Sequence, residues 1–328
     1  MTLSSQLSKA SHSNSPLIDI HVHLYESKES GSNAKDSYVI WEYGEDPNVE
    51  FSTVSGDLEE LSNTYKTGGF DRAVVVHLFD TALARAEAKA RLSPKYSREG
   101  ENLLKANLEI DIAVGQAMIE SNKWIAEIGQ TDPLIEVMVT VDPTLLTPKE
   151  LVNHLSDLAN KGIVGIKLHP VSQGYLPSDP RLFAIYDVCS DAGLIVLSHS
   201  GLGHHGGASA RPSEFASVLS QWPNLQLVLA HLGGAAWQEA EELARVYPQV
   251  VFDLSEIIEW EGAPNAPSQH DMSTLIKNIG AERVMLGSDF PWYDPSRTVD
   301  RVMGLPGLGP GEQAAILGGN ATSLLRLD

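Results

Sequence analysis

Eight short apolar runs recur along the chain, and stretches with a helical pattern separate most of them. The runs are rich in Val, Ile and Leu and have the length of strands buried on both faces of a sheet. They cover residues 17–23, 73–78, 134–141, 164–169, 194–199, 225–231, 250–254 and 283–289. Helices are predicted over 57–66, 101–127, 148–160, 180–192, 212–221, 235–246 and 272–279. Strands that alternate with helices predict parallel pairing, in a doubly wound sheet or a (β/α)8 barrel.

Three further segments complete this outline. The connections 25–56 and 79–100 are long, and connections of such length are usually functional lids or disordered. The first contains Tyr38, Trp41, Tyr43 and Phe51, which favours a lid. At the end of the chain, Gly318 and Gly319 predict a turn, followed by Asn320 as the N-cap of a short closing helix.

Polar side chains cluster where the predicted strands end. Six of the 11 histidines lie there, together with one lysine and two aspartates. The set is His21, His23, His77, Lys167, His169, His199, His231, Asp253 and Asp289. Ligands of parallel α/β proteins bind at the carboxyl ends of the strands, so the sequence predicts the functional site at this end.

The segment DIHVH at 19–23 predicts a metal site. His21 and His23 are two positions apart on a strand, so their imidazoles share one face, and paired neutral imidazoles suit a divalent metal. An isolated pair of this kind is also typical of a half-buried strand. His199 and Asp289 would complete a set of three histidines and one carboxylate, although an aspartate at such a position is also typical of a turn.

The same residues favour a closed barrel. Metal ligands lie about 2.0–2.2 Å from the ion, so strands one, five and eight must converge. An open sheet in sequence order would separate strands one and eight by about 34 Å. Closure makes them neighbours, and the predicted fold is therefore a single-domain (β/α)8 barrel with long loops after strands 1 and 2.

Two more residues have candidate catalytic roles. His231, in HLGG at 231–234, would exchange a proton with substrate, or would be a core histidine bonded to a carbonyl. Lys167 would bind a substrate carboxylate, polarise a carbonyl or, if carboxylated, bridge two metals. A structural salt bridge from Lys167 to Asp253 or Asp289 is the alternative.

Weaker candidates for substrate contacts lie in the following loops or beside the strand ends. These are His169, Arg211, His77 and Glu256. The neighbouring His204 and His205 would contact substrate or lie in solvent.

Composition limits the partners and the compartment. Lys and Arg number 23 against 43 Asp and Glu, which gives a net charge of −20 and disfavours nucleic acid and anionic membranes. The single Cys189 excludes an intramolecular disulfide and a cysteine-based metal cluster, and fits a reducing compartment.

Residues 1–16 are polar and Ser-rich, which predicts a disordered lead-in to a domain at 17–328. No apolar run reaches the ~20 residues that span a bilayer. The predicted location is the cytoplasm, and a homo-oligomer is left open.

Six short segments, in this order along the chain, resemble motifs of the amidohydrolase superfamily. The resemblance is specifically to its amidohydrolase-related branch of metal-dependent barrel hydrolases and decarboxylases. The segments are DIHVH (19–23), GIKLHP (165–170), LSHSG (197–201), LAHLGG (229–234), GSDFPW (287–292) and GNA (319–321). The resemblance implies a TIM barrel with one divalent metal, usually zinc, held by His21, His23, His199 and Asp289. It also implies that His231 assists proton transfer. A second metal would require a carboxylated Lys167, and manganese, cobalt and iron are alternatives to zinc.

Three functions follow from these features. The first is hydrolysis of a lactone, ester or amide bond in a small, carboxylate-bearing molecule. Asp289 would act as the base, and His231 and Lys167 would stabilise the negative charge that develops on the carbonyl oxygen. The second is non-oxidative decarboxylation of a small unsaturated or aromatic acid. The third is a non-catalytic barrel that binds a metal or small molecule.

Overall fold

The computed structural model describes residues 15–43, 49–91, 100–202, 208–261, 263 and 265–327. Its strands are β1 Ile18–Val22, β2 Arg72–Val76, β3 Ile135–Thr140, β4 Gly165–Leu168, β5 Ile195–Ser198, β6 Leu227–Leu229, β7 Val251–Asp253 and β8 Val284–Met285. Its helices are α1 Lys28–Tyr43, α2 Leu58–Gly68, α3 Thr81–Arg91, α4 Gly100–Thr131, α5 Pro148–Ala159, α6 Pro170–Gln173, α7 Phe183–Ala192, α8 Ala216–Gln221, α9 Ala240–Val246, α10 Gln269–Ile279, α11 Pro295–Gly304, α12 Pro310–Ala314 and α13 Asn320–Leu325. Short 3₁₀ turns precede α7, α8 and α9.

The eight strands pair in parallel and in sequence order, from β1 to β8. Backbone hydrogen bonds then join β1 to the segment that follows β8. Ile20 N–H donates to the Leu286 carbonyl at 3.0 Å, and Asp289 N–H donates to the His21 carbonyl at 2.9 Å. The sheet therefore closes on itself, and the predicted single-domain (β/α)8 barrel is confirmed.

The core has two parts. Alternate strand residues pack outward against the helices, while Ile18, Ile20 and their counterparts on other strands fill the barrel interior. In a regular strand Ile20 and Val22 would share a face, but Val22 packs with the outer cluster. The register shift between Asp19 and Val22 explains this switch, because one extra residue in β1 moves the side chains that follow to the opposite face of the strand. His21 and His23 lie at or after this shift and follow the shifted register.

Both long connections contain a helix, which the pattern of apolar residues did not predict. α1 lies within 25–56 and α3 within 79–100. In α1 the apolar residues 38–41 are consecutive, so no helical spacing is visible. In α3 the alanines alternate, and helix formation there follows the strong intrinsic propensity of alanine.

The predicted N-cap role of Asn320 is wrong. A π-helical turn at Ala315–Gly319 leads directly into α13, and Asn320 itself has helical backbone angles. Its side-chain amide instead donates to the carbonyls of Ala281 and Val284, both at 2.7 Å, and ties α13 to the end of the barrel that faces away from the polar cluster. Within the described ranges, no helix combines the length and apolar character needed to cross a membrane.

Candidate active site

The polar side chains predicted at the strand ends converge at one mouth of the barrel. His23 Nε2 lies 3.0 Å from Asp289 Oδ1, and His21 Nε2 lies 3.6 Å from the same oxygen. The ligand atoms of these three buried residues all lie within 4.8 Å of one another. Lys167, on β4, places its ammonium 3.0 Å from His21 Nε2. The structure thus assembles strands one, four and eight around one point.

This group has the donor set of a divalent metal site. Asp289 Oδ1 is buried, and no hydrogen-bond donor satisfies it among the described residues, although two imidazole nitrogens face it. Asp289 has a positive φ of 60°, an uncommon conformation for a non-glycine residue. Two imidazole nitrogens and a carboxylate oxygen suit zinc and related divalent ions. The residues present therefore fit such an ion.

Asp253 fixes the tautomer of His21. Its Oδ2 lies 3.0 Å from His21 Nδ1, and because a carboxylate accepts, Nδ1 carries the proton. The Nε2 lone pair then faces Lys167 and Asp289. The other oxygen, Oδ1, accepts from the backbone N–H groups of His231 and Ser255, each at 3.0 Å. This arrangement of carboxylate, imidazole and metal position is typical of metal sites.

His231 is oriented by the same network. The Ser255 hydroxyl donates to Asp253 and lies 2.9 Å from His231 Nδ1, and the Ser255 carbonyl lies 3.2 Å from that nitrogen. Both contacts require Nδ1 to carry the proton, so Nε2 of His231 is the acceptor nitrogen of the neutral ring. Glu256 Oε2 lies 3.4 Å from Nδ1. His231 and Glu256 both have positive φ.

His199 lies beside this group rather than inside the 4.8 Å cluster. Its ring stacks on His169 with centroids 4.1 Å apart and contacts the edge of His231 at 4.9 Å. His169 caps α6, because its Nδ1 accepts from the Ser172 N–H at 3.2 Å. His199 as a fourth metal ligand stays a prediction.

Burial sets the protonation of the site. It lowers the pKa values of His21, His23, His169 and His231, and the Lys167 charge lowers each of them further, so the imidazoles are neutral and able to bind a metal. Burial raises the pKa of Asp289, but the nearby His21, His23 and Lys167 outweigh it and lower that pKa. Burial lowers the pKa of Lys167 to about 8, against the opposing charges of Asp289, Asp253 and Glu256.

A cavity of about 230 Å³ opens at this mouth. Its lining is His21, His23, Tyr38, Leu78, Lys167, His169, His231, Asp289 and Trp292. Sequence reasoning did not single out Trp292, although it lies three positions after Asp289 in GSDFPW. Tyr38 reaches the cavity from α1, which lies within the first long connection. A lid role for this connection stays a prediction.

The remaining candidates lie elsewhere. His77 Nε2 bonds to Ser121 Oγ at 2.7 Å, and burial lowers its pKa to about 3. The Arg211 side chain is half exposed and pairs with Glu239. Neither residue lines the cavity. His204 and His205 lie outside the described residues. Lys167 bonds to His21, and no ion pair between Lys167 and Asp253 or Asp289 is present in the described part of the chain.

A family model described as amidohydrolase matches residues 18–327. A search of curated proteins finds no match. Among solved structures, an uncharacterised TIM-barrel protein from Bordetella bronchiseptica, Bb4693, is 18% identical with a TM-score of 0.68, over 95% of this chain and 98% of that one.

Two enzymes with the same fold are also similar. 5-Carboxyvanillate decarboxylase LigW from Sphingomonas paucimobilis is 14% identical with a TM-score of 0.63, over 96% of this chain and 100% of that one. A protein from Acinetobacter baumannii, described as a probable 2-pyrone-4,6-dicarboxylic acid hydrolase with citric acid bound, is 17% identical with a TM-score of 0.56, over 95% and 99%. At such identities the likeness shows the barrel fold alone. The family model, in contrast, spans nearly the whole chain, and the protein therefore belongs to the amidohydrolase family of TIM-barrel enzymes.

Proposed function

We propose that this protein is a metal-dependent hydrolase that cleaves a lactone, ester or amide bond in a small, carboxylate-bearing molecule. One observation carries the proposal: the buried Asp289 carboxylate faces two neutral imidazoles, and one of these, His21, lies 3.0 Å from the buried Lys167 ammonium. A base, a metal position and a cation thus share one cavity.

The metal ligands would be His21, His23 and Asp289, with His199 as the proposed fourth. A divalent ion supplies, when bound, polarisation of a carbonyl oxygen and a lowered pKa for water. We propose one zinc ion per chain, and the same donors also suit manganese, cobalt and iron.

The protein's own residues would handle the protons and the charge. Asp289 takes the proton from the attacking water and later gives it to the leaving group. The Lys167 ammonium stabilises the negative charge that develops on the carbonyl oxygen. Because His231 Nδ1 carries its proton toward Ser255, Nε2 would accept a hydrogen bond from water or substrate rather than donate to that oxygen.

The test combines elemental analysis with a panel of lactones, esters and amides. We expect about one metal ion per chain, and loss of both metal and turnover in His21→Ala. Asp289→Asn should lower kcat by about 10²- to 10⁴-fold. Asp157→Asn, the same substitution on an exposed face of α5, is the matched control. Full activity in a metal-free His21→Ala protein would refute the proposal.

A second candidate is decarboxylation of a small unsaturated or aromatic acid. The aromatic lining by Tyr38 and Trp292 favours it, and LigW is a decarboxylase with the same fold. Here a proton would be delivered to the carbon that loses CO₂. Release of CO₂ from aromatic acids, without acid release from lactones, would replace the first proposal with this one.

The state of the single cysteine and the net charge support a location and a class of partner. The single Cys189, buried as a free thiol, supports the cytoplasm as the proposed location. The net charge of −20 supports small molecules as partners rather than nucleic acid.

A further inference from the structure

We propose that one face of α4 is the interface of a symmetric homodimer, in which α4 packs antiparallel against α4 of a second copy of this chain. The face is a row of three side chains, Leu104, Leu108 and Ile112, here called the outer stripe. None of the three lines the cavity described above, so the inference stands independently of the proposed function.

Exposed apolar side chains concentrate in this part of the protein. Of the nine large apolar residues with the highest exposure in the described ranges, five lie on α3 and α4. They are Leu83, Leu103, Leu104, Leu108 and Ile112. Leu104 is the most exposed of the nine at 71%, and Leu108 follows at 61%. Single apolar residues are common on protein surfaces, whereas a contiguous group of this kind marks an interaction site.

The barrel does not cover the outer stripe, because α4 uses its opposite face to pack inward. Ala106, Ile110 and Val114 on that face are 5%, 7% and 2% exposed. Each lies two positions after a residue of the stripe, which is about 200° around the helix. The residues of the stripe recur every four positions and so form one row. α4 is therefore apolar on two opposite sides, and such a helix needs a packing partner on each.

A second copy of α4 fits the outer stripe when a two-fold axis passes beside Leu108. In antiparallel pairing about this axis, Leu108 faces its own copy, and Leu104 faces Ile112 on either side of it. Packed helix axes lie about 8–10 Å apart and Cα atoms lie about 2.3 Å from each axis, so facing Cα atoms would be about 4–5 Å apart. Each apolar side chain of the stripe thus meets another.

The charges beside the outer stripe are complementary in this arrangement. Lys105 and Glu109 are both exposed, and they lie on the same side of the stripe, one turn apart. Antiparallel pairing about a two-fold axis brings equal sides together, so Lys105 of each copy faces Glu109 of the other. These opposite charges favour a second copy locally, where two chains of net charge −20 would otherwise repel each other.

The surface is large enough for a dimer. Residues 103–120 of α4 span about 25 Å at 1.5 Å per residue. α3 lies beside α4, joined to it by the ion pair of Arg85 Nε with Asp111 Oδ1 at 2.9 Å. Two neighbouring helices present a face roughly 20 Å wide, so each copy offers about 500 Å². The total of about 1,000 Å² reaches the lower limit for a specific interface.

Cysteine cross-linking tests the pairing directly, because the single native cysteine, Cys189, is buried. Under mild oxidation Leu108→Cys should form a disulfide between two copies, since the facing Cα atoms lie close to the range of about 4.4–6.8 Å that a disulfide spans. Leu104→Cys alone should not, because its two copies would be about 12 Å apart along the helices. A mixture of Leu104→Cys and Ile112→Cys chains should form the mixed disulfide.

Sedimentation equilibrium measures the association itself. We expect the wild type to reach twice the mass of one chain as the protein concentration rises. Leu108→Glu should raise the dissociation constant at least about 100-fold, because it removes apolar contact and places like charges together on the axis. Val246→Glu makes a comparable change at a residue of α9 that is 49% exposed, and as the matched control it should leave the dissociation constant unchanged.

A charge exchange tests the two ion pairs. Lys105→Glu should weaken association about 3- to 10-fold, and adding Glu109→Lys to the same chain should restore it. Circular dichroism shows whether each variant is folded. A wild type that stays monomeric at every concentration would overturn the inference and indicate another partner for the outer stripe. A dimer that persists unchanged in Leu108→Glu, or cross-linking of Leu104→Cys alone, would also overturn it.

Discussion

Asp253 offers the sharpest test of how the metal position is built. In Asp253→Asn the amide keeps an oxygen for the N–H groups of His231 and Ser255. Its NH₂ group, however, would face the protonated Nδ1 of His21, where the carboxylate now lies at 3.0 Å. Two donors cannot bond to each other, so His21 must move its proton to Nε2 and lose the lone pair that a metal needs.

The expected loss is a 10- to 100-fold weaker metal affinity, or about 1.4–2.8 kcal/mol, as is typical when the partner of a ligating histidine is removed. Because the two backbone bonds persist, folding stability should fall by only about 1 kcal/mol, the net value of one hydrogen bond. Competition with a chelator of known zinc affinity measures the first quantity, and urea unfolding of the metal-free protein measures the second.

Asp19→Asn is the matched control. Asp19 is equally buried and accepts from the His21 backbone N–H at 3.0 Å and from the Tyr65 hydroxyl at 2.6 Å, but it does not contact the His21 ring. Its substitution should leave metal affinity near that of the wild type. Wild-type affinity in Asp253→Asn, or an equal loss in Asp19→Asn, would show that the tautomer argument is wrong.

Three further outcomes follow from groups outside the site. Burial raises the pKa of the Cys189 thiol to about 12, so the folded protein should resist iodoacetamide at pH 8, and labelling should follow the unfolding curve in urea. Burial raises the pKa of Glu60, but hydrogen bonds from Ser55 and Gly56 outweigh it and lower that pKa. The wild type should therefore exceed Glu60→Gln in stability at pH 7, and thermal melts should show this difference shrinking as the pH falls below 4.5, the ordinary pKa of a glutamate side chain. The Arg283 guanidinium donates to four backbone carbonyls, which Arg283→Met would leave unsatisfied, so urea unfolding should show a loss of about 2–4 kcal/mol. An unchanged midpoint in Arg283→Met would contradict this.

The barrel and the centre of the site can be predicted from the sequence because both depend on local pattern. Apolar runs of strand length, separated by helices, predict parallel pairing, and parallel pairing brings the strand ends together. His21, His23 and Lys167 are found by their positions on those strands. The helix α11 could also have been found, since Asp294 and Pro295 are a typical helix start, and Asp294 does cap it.

Other parts of the site depend on contacts between distant positions, which a single sequence does not display. Asp253 was visible as a strand-end carboxylate, but its bond to His21 spans 232 positions. Tyr38 reaches the cavity only because α1 folds back onto the segment that carries Trp292. The positive φ values of His231, Glu256 and Asp289 are equally hidden, because such conformations are uncommon in residues other than glycine.

Because the barrel closes between β1 and the segment after β8, the metal position joins two distant parts of the chain. His21 and Asp289 are 289 − 21 = 268 positions apart, yet the Asp289 N–H donates to the His21 carbonyl at 2.9 Å. An ion bound by both side chains would link the first strand to the segment after the last strand, and would close a loop that contains nearly the whole protein. Loop-closure entropy grows with loop length, so this link would restrict the unfolded chain more than a local site does. Removal of the ion should first increase hydrogen exchange where these two segments pair, at the amides of Ile20, His23 and Asp289, before exchange in the outer helices changes.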